Sequence, residues 1–192
     1  MNPVRQWPIR WNDAREDHRI RYEFAGKIAR GRTLDAACGV GYGSTFLQSK
    51  IPDVVGVDIS PDAIDWAHKY FPGPTYIIGD IEQEPWEGKF ETIVSFETLE
   101  HLKAPEKALQ AFRRACVGLL VASVPNEDNF PFDEKKFAGD EYPHQRHYTP
   151  DQFGALLTDN GFTVTHRMCQ KSKNDCSLID GTDGMFMVYV CT

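Results

Sequence analysis

Short, almost uniformly apolar runs alternate along this chain with longer segments of helical periodicity. The runs are RTLDAA, Val54 to Ile59, TYIIGD, FETIVSF, GLLVASV, FTVTHRM and MFMVYVC. Between them the pattern is helical from Asn12 to about Arg30, where Gly31 stops it, and again from about Ser44 to Lys50, after Ser60, from Pro105 to about Cys116, and from Thr149 to Gly161. Two of these starts carry a chemical signature. Ser60 stands as a cap before Pro61, and TPDQ from Thr149 is a capping box. A capping hydroxyl accepts a backbone N–H that the helix leaves unpaired, and proline gives up no useful donor at the first helical position. Strands apolar on both sides and separated by helices predict a parallel sheet covered on both faces. Only the polar loop Cys169 to Gly184 joins the last two runs, so the final strand is expected to run antiparallel. The fold class that follows is α/β, a three-layer sandwich around a seven-stranded, mostly parallel sheet.

Composition narrows the picture without redrawing it. A chain of 192 residues is read as one domain, 1–192, able to bury roughly 70% of its unfolded surface. The formal charge of −7 disfavours a broad nucleic-acid footprint, because phosphate neutralisation supplies most non-specific affinity. The five cysteines, Cys38, Cys116, Cys169, Cys176 and Cys191, form no CxxC pair, which suits reduced thiols in a cytoplasmic protein. No apolar run approaches the ~18 residues of a membrane span, and the first residues lack a signal-peptide core. His144 and His147 with Glu141 could suggest a metal site, but the ligands do not fall at helix or strand spacing, so no metal is expected.

The chemistry begins at LDAACGVGYGS, where Gly39, Gly41 and Gly43 follow the first apolar run. A glycine turn between strand and helix holds a nucleotide, but the dinucleotide fingerprint is GxGxxG, and here its last position is Ser44. Asp35 inside the strand would repel a pyrophosphate. It suits a ligand with an ammonium group, such as S-adenosylmethionine, whose carboxylate the loop amides and helix amino terminus can hold.

With LDAACGVGYG, VVGVDIS, IIGDIE and IVSFETLEHL in this order, the chain resembles the class I S-adenosylmethionine-dependent methyltransferases, which have a Rossmann-like fold. The resemblance implies that Asp58 accepts both ribose hydroxyls and that Ile59 lies against the adenine. It implies that Asp80 accepts from the adenine amino group, with Ile81 offering its backbone amide, and it adds Phe96 to the cofactor-binding set. DHRIRYEFA, Asp17 to Ala25, is similar to the HxxRYxFA helix of a subset of this family. There Arg21 is implied to clamp the cofactor carboxylate, with Tyr22 beside it on the same face.

Methyl transfer depends mostly on alignment of donor and acceptor, so no shared catalytic residue need appear. His101, His144 and His147 are the candidates on the carboxyl edge of the sheet, where histidine can act as base near neutral pH. Glu97 and Glu100 are further groups that could orient an acceptor hydroxyl or amine. The segment 1–31 is expected to cover the cofactor, with Trp7, Trp11 and the loops 125–148 and 169–184 on the acceptor side. FETLEHL stands where methylases of exocyclic base amines carry an Asn/Asp-Pro-Pro-aromatic tetrad, so the expected acceptor is a small polar molecule. The same residues would also serve a protein that binds the cofactor without transfer, or an enzyme that cleaves it.

Overall fold

The computed structural model describes residues 7–192; the first positions of the 1–31 segment lie outside the described residues. Strand β1 (Thr33–Ala36) sits mid-sheet, between β2 (Val54–Asp58) and β4 (Phe90–Phe96), and pairs in parallel with both. Beyond β2 lies β3 (Thr75–Ile78), and beyond β4 lies β5 (Cys116–Pro125), again parallel. Strand β8 (Phe186–Cys191) then enters between β5 and β6 (Val164–Gln170), antiparallel to each. The seven expected strands are all present. An eighth, β7 (Leu178–Asp180), forms inside the polar loop and pairs with the outer edge of β6, for the order β3-β2-β1-β4-β5-β8-β6-β7. Three residues in a polar tract show no alternation that a sequence pattern could register.

Alternate residues of the central strands enter opposite cores, which makes three layers. Ile93, Leu120 and Ala122 pack with Leu109 and Phe112 of α4 (Pro105–Ala115) and with Phe153 and Leu157 of α5 (Pro150–Asp159). Val94 and Val121 pack on the other face with Tyr22 and Ala25 of α1 (Glu16–Ile28) and Leu47 of α2 (Tyr42–Gln48). Helix α3 (Pro61–Tyr70) completes that layer through Ile64 and Ala67, against Cys38 and Tyr76. Both capping signatures are realised: Ser60 Oγ accepts from the Ala63 amide, and Thr149 and Gln152 exchange reciprocal bonds. Trp11 stacks on Phe46 at 4.4 Å and Trp7 meets Trp66 edge-on at 5.3 Å, so both tryptophans lie against α2 and α3. Among the described residues no helix is long and apolar enough to cross a membrane.

Candidate functional site

All the parallel strands end on one edge, and that edge collects the polar groups. The turn after β1 is left-handed at Gly39 (φ 55°) and Gly41 (φ 86°), conformations that cost little only without a side chain. The three glycines do different work. A Cβ on Gly39 would meet nothing within 4 Å, so there is open room above the turn, whereas a Cβ on Gly43 would lie 2.0 Å from Cζ of Tyr22. Gly43 is therefore the packing glycine of α2, letting α1 lay its tyrosine ring on the helix.

Beneath the turn, Asp35 has no exposed surface. Its Oδ1 accepts from the Tyr22 hydroxyl at 3.0 Å and its Oδ2 from the Ser44 hydroxyl at 2.6 Å. Burial nonetheless pushes its carboxyl up to about 6, because those two bonds only partly replace water. Ser44, the residue that breaks the dinucleotide fingerprint, thus has a positive role.

At the tip of β2, Asp58 is pinned by two amides: Gly39 N donates to Oδ2 at 2.7 Å and Ser60 N to Oδ1 at 3.0 Å. Burial raises its carboxyl above the usual range. Each oxygen keeps a further lone pair, enough for a vicinal diol. Ile59 beside it is 51% exposed, an apolar platform at the open edge. At the tip of β3, Asp80 caps a short 3₁₀ turn (Ile81–Gln83), accepting from Glu82 N and Gln83 Nε2, each at 2.9 Å, while Ile81 is buried. Open space at Gly39, an anchored carboxylate and an exposed aliphatic side chain fit a nucleoside.

Arg21, on α1, is fully buried. Its terminal nitrogens reach Gln170 Oε1 at 2.8 Å and Asp17 Oδ2 at 3.4 Å, with Glu97 Oε1 at 3.7 Å. Nε has no hydrogen-bond partner among the described residues. Its guanidinium also lies 5.0 Å from the centroid of the Phe186 ring, and Phe96 packs edge-on to Tyr22 at 5.1 Å. Gln170 had no signal in the sequence; it is 149 residues from Arg21, and its Nε2 also donates to the carbonyls of Asp17 and Cys176.

The side expected to face an acceptor is built where the 125–148 loop meets the turn after β4. Gln145 N donates to Glu100 O at 2.7 Å and the Tyr148 hydroxyl to Leu99 O at 3.2 Å, and His101 Nδ1 lies 2.8 Å from Tyr142 O. Within this junction His101 and His144 meet edge to face at 4.4 Å. His144 Nδ1 lies 2.8 Å from His147 Nε2, and His147 Nδ1 lies 2.6 Å from Phe130 O. All three histidines are held below their ordinary range, chiefly by burial, His144 to about 3. Glu97, at the mouth, has a left-handed φ of 51° and accepts from Ser123 Oγ at 2.8 Å. Such a conformation in a non-glycine residue costs free energy and gathers at functional sites. Glu100 has no exposed surface, and burial together with Glu97 holds its carboxyl well above the usual range.

A family model described as a methyltransferase domain matches residues 10–167. A probable S-adenosylmethionine-dependent methyltransferase of Mycobacterium tuberculosis is 26% identical over 160 residues, 79% of this chain; the chain spans only 56% of that protein's length. The magnesium-protoporphyrin O-methyltransferase of Rhodobacter capsulatus is 35% identical over 80 residues, 39% of this chain and 35% of that protein. Among solved structures, a possible histamine N-methyltransferase of Thermotoga maritima superposes with a TM-score of 0.74 at 22% identity, covering 92% of this chain and 90% of its own.

Proposed function

Because the chain belongs to the methyltransferase-domain family, in its class I S-adenosylmethionine-dependent branch, we propose that it transfers a methyl group to an oxygen or nitrogen of a small polar molecule by in-line displacement. The observation that supports this most is Asp58, pinned by Gly39 N and Ser60 N beside open space, with the cluster of His101, His144 and His147 after β4 and β5. S-adenosylmethionine, when bound, would supply a methyl group activated by the sulfonium that carries it, for an acceptor lone pair to take.

This chain's residues then have to bind and orient. Asp58 accepts the ribose hydroxyls, Ile59 lies against the adenine, Asp80 takes its amino group, and Ile81 offers its backbone amide. Asp35, one layer below the turn, favours the ammonium through its field, since both its oxygens are already engaged. Arg21, ordered by Gln170 and Asp17, keeps the positive charge of the carboxylate end in place. Phe96 and Tyr22 close the floor. Toward the acceptor, Glu100, His101 and His144 present acceptor lone pairs, while His147 fixes the ring of His144 from behind.

The acceptor class rests on two supports. The 125–148 loop folds directly onto the turn after β4, with Gln145 N on Glu100 O, as a short cover suited to a small acceptor. The magnesium-protoporphyrin O-methyltransferase among the relatives and the possible histamine N-methyltransferase among the similar folds are both named for small-molecule acceptors. Incubating the protein with isotopically labelled S-adenosylmethionine and a fractionated metabolite mixture tests the reading. A labelled product and S-adenosylhomocysteine in equal amounts are expected. Tight cofactor binding with neither product would leave only a binding protein; S-adenosylmethionine consumed without methylated product would indicate cleavage.

A further inference from the structure

Glu100 is the least satisfied polar group of the site. It has no exposed surface, and neither carboxylate oxygen has a hydrogen-bond partner among the described residues. Burial with Glu97 beside it favours the neutral carboxyl, which still leaves both oxygens without partners, and a bound cation would offset that cost by drawing out the carboxylate. The nearest candidate, His101 Nε2, lies 3.8 Å from Glu100 Oε1, beyond hydrogen-bond range.

The two histidines beside it have their protons placed by their surroundings. A backbone carbonyl only accepts, so His101 Nδ1 carries the hydrogen that reaches Tyr142 O, and because burial favours the neutral ring, Nε2 keeps its lone pair. By the same reasoning His147 Nδ1 donates to Phe130 O, so its Nε2 accepts from His144 Nδ1. The relay leaves His144 Nε2 unprotonated as well. Both imidazoles are thus neutral and fixed in one tautomer by a donated N–H on the far nitrogen, the outer-shell arrangement that orients metal-ligating histidines.

We propose that Glu100, His101 and His144 form a binding site for a divalent first-row transition-metal ion. One ligand atom from each residue lies within 4.8 Å of the other two. Metal–ligand bonds of about 2.0–2.2 Å require donors roughly 3–4 Å apart, so a contraction of about an ångström completes the set. Two imidazole nitrogens and one carboxylate favour ions such as Mn²⁺, Fe²⁺, Co²⁺ and Zn²⁺ over Mg²⁺, which prefers oxygen and water. Three protein ligands leave positions open, and an oxygen of the acceptor bound there would be held and made more acidic at the edge where transfer takes place. That last role rests on the methyltransferase reading; the ion site itself does not.

Cobalt makes the test direct. The full chain, freed of metal by a chelator, is titrated with Co²⁺ and followed by its visible absorption, with S-adenosylhomocysteine binding measured calorimetrically on the same samples. One equivalent of Co²⁺ should bind, and Glu100→Gln and His144→Ala should each weaken it at least about tenfold. Both variants should keep the heat of S-adenosylhomocysteine binding, which shows that they fold. No cobalt bands in the parent chain, or equal affinity in both variants, overturns the site. Cobalt binding without any S-adenosylhomocysteine heat instead overturns the methyltransferase reading and leaves the ion site standing.

Discussion

Tyr22 donates its hydroxyl to Asp35 across 3.0 Å, joining the first helix to the central strand at a point that water does not reach. Burial outweighs this bond and the second one from Ser44, so the folded chain keeps the Asp35 proton up to about pH 6, against 3.8 for the free side chain. A proton held more tightly by the folded state stabilises it fully below about pH 4, and that contribution is lost as pH rises through 6. The total is on the order of 3 kcal/mol for a shift of about two units. Urea unfolding of the parent and of Asp35→Asn at pH 4 to 7 should show the variant gaining relative stability with each step upward. A difference independent of pH would mean that the carboxyl is not shifted.

Gly43 should tolerate no side chain. Its Cβ would lie 2.0 Å from Cζ of Tyr22, and that ring is fixed by Asp35 and packed against Phe96. Gly43→Ala is expected to cost about 2–4 kcal/mol, lowering the melting temperature by roughly 5–15 °C. Gly39→Ala meets no atom within 4 Å and faces only its φ of 55°, so its cost should stay near 1–2 kcal/mol. Thermal melts of the two variants check the order.

Asp58→Ala should leave the fold intact and raise the S-adenosylhomocysteine dissociation constant at least about tenfold, about 1.4 kcal/mol. The carboxylate is held by amides of neighbouring loops rather than by the core, so its loss removes a ligand contact more than a support. Calorimetry reads the constant directly, and an unchanged value would remove Asp58 from the ribose.

Gln170 is expected to matter as much as a core residue. It links Arg21 to the carbonyls of Asp17 and Cys176, tying α1 to the end of β6. Gln170→Ala leaves a buried guanidinium nitrogen without its 2.8 Å acceptor, which should cost about 2–4 kcal/mol. Denaturant unfolding measures this, and the loss should shrink in an Arg21→Met background, where no buried charge remains to be stranded.

The sequence by itself determined the alternation of strands and helices, the two capped helix starts, the glycine turn, and the carboxylates at the tips of β2 and β3. These are local properties: period, cap chemistry and the left-handed residues 39 and 41 are written in neighbouring positions. It also indicated which edge of the sheet carries the site, since parallel strands joined by helices put their carboxyl ends together. Only the tertiary structure decided which residues share an environment. Gln170 beside Arg21, His144 beside Glu100, and Tyr22 over Gly43 are pairs set by how β6, the 125–148 loop and α1 close on the sheet. Burial is equally a property of the packed chain. The same Glu100 would be an ordinary solvated carboxylate on an open turn, and becomes a carboxyl with unpaired oxygens because the loop after β5 folds over it and removes the water.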